Sequence, residues 1–218
     1  VAMGPVFSLL KDEFAKSSGE ILAFKKALGL AEEDMAALGK QAVMSGKDLT
    51  EVLTEQASMA IQMGEKFGIN AKVVSKSMME MTKDIGNFGN MAKKEIAAAA
   101  VYMHELGMET KDFMGLIDKF DNFEDAAEGA SMLAQSFGMN VDAMKMMNEQ
   151  NPAKRMDMLR ESFRATGKSV EDLSRQELKL LSAQMGLSEE ATKMALSNEN
   201  MGKSYDEIMA AAEGAEDQ

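Results

Sequence analysis

At 218 residues with 45% hydrophobic content, the chain has enough apolar material for a buried core and is not a disordered tail. It has no Cys, which excludes disulfides and thiolate metal sites within it, and two Pro and no Trp among abundant Ala, Met, Glu and Lys favour helix. The net charge of −12 is uneven: residues 1–100 carry 12 basic and 13 acidic side chains and residues 101–218 carry 12 and 23, so the second half would repel a phosphate backbone. No specific nucleic-acid partner is expected.

No basic segment precedes an apolar stretch at the start, so no signal peptide is read, and the opening at Val1 suggests an excerpt or a processed product. Pro5 suits a first helical turn and Val6, Leu9, Leu10 and Phe14 supply its apolar face, with an end near Ser17 to Gly19. Ile21, Leu22, Phe24, Leu28 and Leu30 continue the pattern. A recurrent device then appears, an apolar residue, Gly and another apolar residue, centred on Gly29, Gly68, Gly107, Gly138 and Gly186. Gly one residue past a helix takes the left-handed conformation, and the apolar residue after it packs back on the last turn. Each is a predicted helix-to-helix joint. Asn70, Thr110, Asn140 and Ser188 follow as predicted N-caps, with Ala31 the exception. A second joint type reads SGKDL at 45–49 and TGKSV at 166–170, with Asp48 and Glu51, then Ser169 and Asp172, as cap and third-residue acid. The helices after them are expected to end alike at QMG, 62–64 and 184–186, as an ancient duplication with one insertion would leave them.

Ile85 to Asn90 reads as a loop, and Met91 to about Leu106 as a helix whose small centre, Ala97 to Ala100, lets neighbours approach. The apolar run Ile96 to Met103 is too short to cross a bilayer. In Asp112 to Asn140 an apolar stripe follows: Phe113, Leu116, Ile117, Phe120, Phe123, Ala127, Ala130 and Ala134, flanked by Asp118, Asp121, Asp125 and Glu128. Asp121 and Glu124 have capping-box spacing, which favours a break near Asp121 over one unbroken helix. Asn151 and Pro152 break the chain again, Met156, Met158, Leu159 and Phe163 begin another helix, and the tail from Met209 should fray. The expectation is all-α: roughly a dozen short helices joined by Gly-containing turns in a compact bundle or helical array. A near-neutral region, 1–111, would precede an acidic one, 112–218, or the two run on as one continuous fold.

Chemistry is sparse. The one histidine, His104, has no paired-ligand motif around it and reads as a surface or capping residue. Gly167–Lys168–Ser169 and Gly46–Lys47 lack the earlier Gly of a phosphate loop, since Ser162 and Gln41 stand there. Asp118, Asp121 and Asp125 lack the spacing of a calcium loop. No catalytic, metal or cofactor-binding residue is named, and none of the many carboxylates stands out as a pair. The 23 Met either fill an irregular core or form an adaptable interface.

Residues 119–188, KFDNFEDAAEGASMLAQSFGMNVDAMKMMNEQNPAKRMDMLRESFRATGKSVEDLSRQELKLLSAQMGLS, and more loosely Gly39 to Met114, resemble tail tape-measure proteins of contractile-tailed bacteriophages. In that family FD-FEDAAE, a short Asn-containing loop, a MLRES-like helix and an S-R-E-K-L/A-A-GLS run recur in this order. The resemblance implies a virion structural protein, made in the host cytoplasm and placed in the tail lumen or baseplate tip. It would act in tail assembly and length determination and leave ahead of the genome. It implies a cyclic homo-oligomer, trimer or hexamer, contacting tail tube and baseplate hub proteins, with no enzymatic activity. Tape measures are long and extended whereas this chain is short and Gly-punctuated, so a folded terminal segment is expected. Phe113, Leu116, Phe120 and Phe123 are its candidate interface, or else are buried within the monomer. The alternative is a soluble helical adaptor or chaperone-like module offering Met-lined grooves to partner helices.

Overall fold

Ile96 to Met103 are eight successive buried positions, and a helix without a solvent face needs neighbours on every side. The computed structural model describes residues 19, 21–200 and 204–216. The helix predicted around Val6 to Phe14 lies outside them. In chain order the helices are α1 (21–28), α2 (Glu32–Ser45), α3 (Leu49–Phe67), α4 (Ala71–Lys83), α5 (Ile85–Phe88), α6 (Lys93–Glu105) and α7 (Thr110–Phe120). Then come α8 (Phe123–Phe137), α9 (Ala143–Asn148), α10 (Pro152–Ala165), a 3-10 turn (Val170–Asp172), α11 (Arg175–Met185), α12 (Glu189–Leu196) and α13 (Tyr205–Glu216). Among the described residues there is no strand, and the fold is all-α with compact helical packing.

The buried helix is α6, and α3, α4, α10 and α13 pack around it. Ala97 to Ala100 are what let them do so, because a residue without atoms beyond Cβ keeps helix axes close from any direction. Helices α7, α8, α9, α11 and α12 form the remainder, with α7 packed on α8 and α10, and α11 on α8 and α12. The C-terminal helix returns to α6 and α3, so a single apolar core runs from Ile21 to Ala212 across both charge regions. Much of it is Met: Met35, Met63, Met78, Met79, Met81, Met139, Met146, Met156 and Met185 are all buried.

Local chemistry sets most helix starts. Asp48 accepts from the Glu51 amide at 2.7 Å, Asn70 from Lys72 at 2.9 Å, and Ser188 from Ala191 at 3.1 Å. Such a cap contributes about 1 kcal/mol. The break near Asp121 is present, but its cap is Asn122, which accepts from the Asp125 amide at 2.9 Å and opens α8 at Phe123. Two predicted caps are displaced. The Thr110 hydroxyl bonds Glu80 at 2.6 Å instead, and α7 starts from Glu109, whose amide donates to Asp112 at 2.9 Å. Asn140 caps nothing, because Asp142 accepts from the Lys145 amide at 3.0 Å and sets the start of α9.

Other boundaries also differ from expectation. Ser169 bonds the Glu171 carboxylate, so TGKSV leads only to the 3-10 turn; the next α-helix begins at Arg175, capped by Ser174 in a reciprocal capping box with Glu177. The predicted loop at 85–90 holds the one-turn α5, nucleated by Asp84, which accepts from the Asn87 amide at 3.2 Å. QMG at 62–64 does not end α3. A Cβ on Gly64 would lie 2.6 Å from the Ile69 carbonyl oxygen, so that Gly admits the chain folding back into α4 while the helix runs on to Phe67. The tail from Met209 does not fray before Glu216, because Ile208, Ala211 and Ala212 are buried.

Candidate functional site

α10 carries the densest buried chemistry. Asn151 accepts from the Ala153 amide at 3.0 Å and Pro152 occupies the first helical position, where no amide is needed, so the helix start is rigidly set. Two arginines project from it, both buried. Arg160 donates from Nε to the Ala195 carbonyl at 2.9 Å, from Nη2 to the Asn200 carbonyl, and from Nη1 to the Tyr102 hydroxyl oxygen at 2.6 Å and Asp157 Oδ1 at 3.1 Å. Arg155 donates from Nε to the Glu149 carbonyl, from Nη2 to the Met147 carbonyl at 3.3 Å, and from Nη1 to the Ile117 carbonyl at 3.4 Å and Asp121 at 3.5 Å. Carbonyls in the last turn of a helix have no partner within it. The two guanidinium forks therefore close the ends of α12, α9 and α7 at once, which their planar five-donor geometry suits.

Two tyrosines complete the node. Tyr102 donates to Asp157 Oδ1 at 2.6 Å, and the other Asp157 oxygen accepts from the Tyr205 amide at 3.4 Å. The Tyr205 hydroxyl accepts from Asn151 Nδ2 at 2.8 Å and donates to the Glu95 carbonyl at 3.5 Å. The rings meet edge to face at 79°, centroids 5.6 Å apart, with the Arg160 guanidinium carbon 5.5 Å from the Tyr102 centroid. Burial pushes both phenols far above their ordinary range, and burial lowers Arg155 against the pull of Asp121. Both phenols thus stay protonated and engaged. The node joins α6, α10, α12 and α13, and sequence reading missed it because its members are far apart in the chain.

The predicted stripe divides. Phe113, Leu116, Ile117 and Phe120 are buried within the protomer, packing α7 on its neighbours, while Phe123 is 58% exposed and Ala127 half-buried. The first four are therefore occupied in the core and present no docking surface, because every apolar face of α7 at those positions is already covered. Gly29, Gly68, Gly107, Gly138 and Gly186 all have φ between 67° and 76°, the left-handed joint conformation. Gly186 does more, since a Cβ there would lie 2.3 Å from the Gly115 carbonyl oxygen, and one on Gly115 would lie 2.2 Å from the Gly186 oxygen. Here the end of α11 touches the backbone of α7 directly. Gly46 and Gly167 take the same conformation, and their lysines serve the fold: Lys47 pairs with Glu55, and Lys168 lies 5.6 Å from the Phe137 ring centroid. His104 is exposed in the last turn of α6.

Two of the surface grooves among the described residues have mixed apolar and charged linings. One of about 540 Å³ lies among α2, α5 and the start of α6, lined by Ala37, Met44, Ile85, Phe88, Met91 and Ile96, with Met44 78% and Ile85 60% exposed. The other, about 720 Å³, lies among α4, the end of α6 and the start of α7, with Leu28 and Met108 along it and Lys72, Lys76, Lys111 and His104 around it. Among the described residues no group of three His, Asp or Glu is placed to hold a metal ion, and no helix is long and apolar enough to cross a membrane. No protein-family model, curated protein or solved structure matches the chain.

Proposed function

We propose that this chain is a folded segment of a phage tail tape-measure protein, a structural component of the tail lumen or baseplate tip rather than an enzyme. One observation carries the reading: the motif order of residues 119–188, which resembles that family. In the fold these pieces fall on three capped helices, with FEDAAE opening α8, MLRES within α10 and SRQELKLLSAQMGLS spanning the cap, body and joint of α11. Short helices on glycine joints with soft Met contacts suit a protein that must leave a narrow tube, since such packing rearranges more readily than a rigid aliphatic core.

In this reading the chain associates with itself about a three- or sixfold axis and touches tube and hub proteins. Size-exclusion chromatography with light scattering, alongside circular dichroism, tests it. A helical oligomer of discrete mass that binds co-expressed tube or hub protein is the expected result; a helical monomer at every concentration that binds neither overturns it. A second reading, a helical adaptor, draws support from the groove of about 540 Å³ at Met44 and Ile85, whose exposed apolar side chains suit contact with a partner helix. An adaptor would remain monomeric and bind an amphipathic helical peptide there.

A further inference from the structure

Among the described residues Met44, Met144 and Met194 are the exposed methionines, and the last of them, 39% exposed, rests on a backbone joint. A Cβ on Gly107 would lie 2.3 Å from the Met194 methyl carbon, Cε, and 3.2 Å from its Sδ. Gly107 is the left-handed residue, φ 68°, between α6 and α7. The Met194 thioether of α12 therefore fills the space that a side chain would occupy at that joint. Its backbone is tied as closely. The Met194 carbonyl accepts from Asn200 Nδ2 at 2.7 Å and from the Ser197 hydroxyl at 3.1 Å, and the next carbonyl, of Ala195, accepts from Arg160 Nε at 2.9 Å. The Asn200 carbonyl in turn accepts from Arg160 Nη2. α12 has eight residues, too few to hold a helix by its own bonds, so its place depends on such ties.

We infer that Met194 is an oxidation-sensitive latch: hydrogen peroxide converts its thioether to the sulfoxide, and α12 then loosens from the α6–α7 joint. In that step a lone pair on Sδ forms the S–O bond and the O–O bond breaks. The proton on the transferred oxygen passes to the departing one, which leaves as water; sulfur loses two electrons and the peroxide gains them. Exposure sets the order of reaction, so Met194 oxidises ahead of Met63, Met81 and Met185, which are fully buried. A sulfoxide is polar and needs a hydrogen-bond donor. The amides of Gly107 and Met108 already serve the His104 and Met103 carbonyls, at 3.0 and 2.8 Å, so neither is free for the new oxygen. Water takes that role, the side chain leaves Gly107, and the shift passes through the Met194 carbonyl to Ser197–Asn200 and the Arg160 fork.

The test uses the full chain carrying Met44→Leu and Met144→Leu, with and without Met194→Leu, each checked by circular dichroism for the wild-type fold. Both are treated with a low dose of hydrogen peroxide, mapped by peptide mass and followed by amide hydrogen exchange; oxidation at any other site is common to the two. In the chain that keeps Met194, that residue should gain one oxygen before the buried methionines do. Exchange in α12 and residues 197–200 should then quicken about tenfold, as a loss of ordinary single-site size would produce. The two sulfoxide reductases, one for each epimer, should restore the slow rate. With Met194→Leu, peroxide should leave exchange there unchanged. The latch is refuted if Met194 oxidises no sooner than the buried methionines, if exchange stays slow once it is oxidised, or if the Met194→Leu chain shows the same rise.

Discussion

Asp157 accepts bonds from Tyr102 on α6, Arg160 on its own helix and the Tyr205 amide of α13. A carboxylate so placed costs little to bury only while all its partners remain. Arg160→Met would leave Asp157 short of its cation and strand the Ala195 and Asn200 carbonyls, a loss of about 3 kcal/mol in a urea melt. The phenols add a pH dependence. Tyr102 is raised above its ordinary value of 10.0, first by burial. In the unfolded chain it ionises through that value, in the native one it does not, so the unfolded state sheds protons first and native stability falls as pH rises past 10. Melting temperatures from pH 8 to pH 11 should therefore decline less steeply for Tyr102→Phe than for wild type. Tyr102→Phe would also be about 1–2 kcal/mol less stable at pH 8, having lost the hydroxyl that links Asp157 to Arg160. Equal alkaline slopes would show that the phenol is not held protonated by the fold.

At the scale of elements, joint glycines separate into two kinds. Gly138 has open space where a Cβ would go, and Gly186 has the Gly115 carbonyl 2.3 Å away. Gly138→Ala should cost only the left-handed backbone conformation, about 1 kcal/mol. Gly186→Ala adds a backbone collision between α11 and α7 and should cost about 3 kcal/mol or more, read as a clear gap between the two in denaturant midpoint. α7 and α8 offer a similar contrast: Phe120→Asp places a charge among core residues and should abolish the cooperative transition, while Phe123→Asp should leave the fold intact. If Phe120→Asp melts like wild type, α7 does not pack as described. These pairs also mark what sequence could reveal. The left-handed joints at Gly29 to Gly186 were legible because the signal is three adjacent residues. Caps were legible only where no competitor intervened: Asn70 and Ser188 cap as read, Thr110 was drawn away by Glu80 on α4, and Asn140 gave way to Asp142 two residues on. The Phe113 to Ala127 periodicity marked an apolar face, yet whether Phe120 or Phe123 met solvent depended on the turn at Asn122. The Gly115 to Gly186 contact and the arginine clasps had no local signature, since each joins backbone groups from separate helices.

For the whole molecule the decisive question is whether the near-neutral and acidic regions unfold together. α13 belongs in sequence to the acidic region, but it buries Tyr205, Ile208, Ala211 and Ala212 against α6, α3 and α10. Its neighbour in sequence, α12, instead packs on α11 and α10. α13 is thus a strap that closes the side of α6 that the acidic region would otherwise leave open. A chain ending at residue 203 would expose the alanine run, uncover the Tyr102 ring and free one Asp157 oxygen. Burial of one Tyr and one Ile is worth about 2 kcal/mol each, offset in part by the entropy of ordering the helix. At about 2–4 °C per kcal/mol for a chain of this size, the truncated protein should melt about 10 °C lower. Hydrogen exchange then locates the loss. If the strap joins one cooperative core, protection falls in α6 and α3 and also in α10, whose Asn151 and Asp157 hold Tyr205, with α12 following through Arg160. If protection falls in α6 and α3 alone while α10 and α12 keep theirs, the two regions are separate folding units and the Arg160 node is a local clasp.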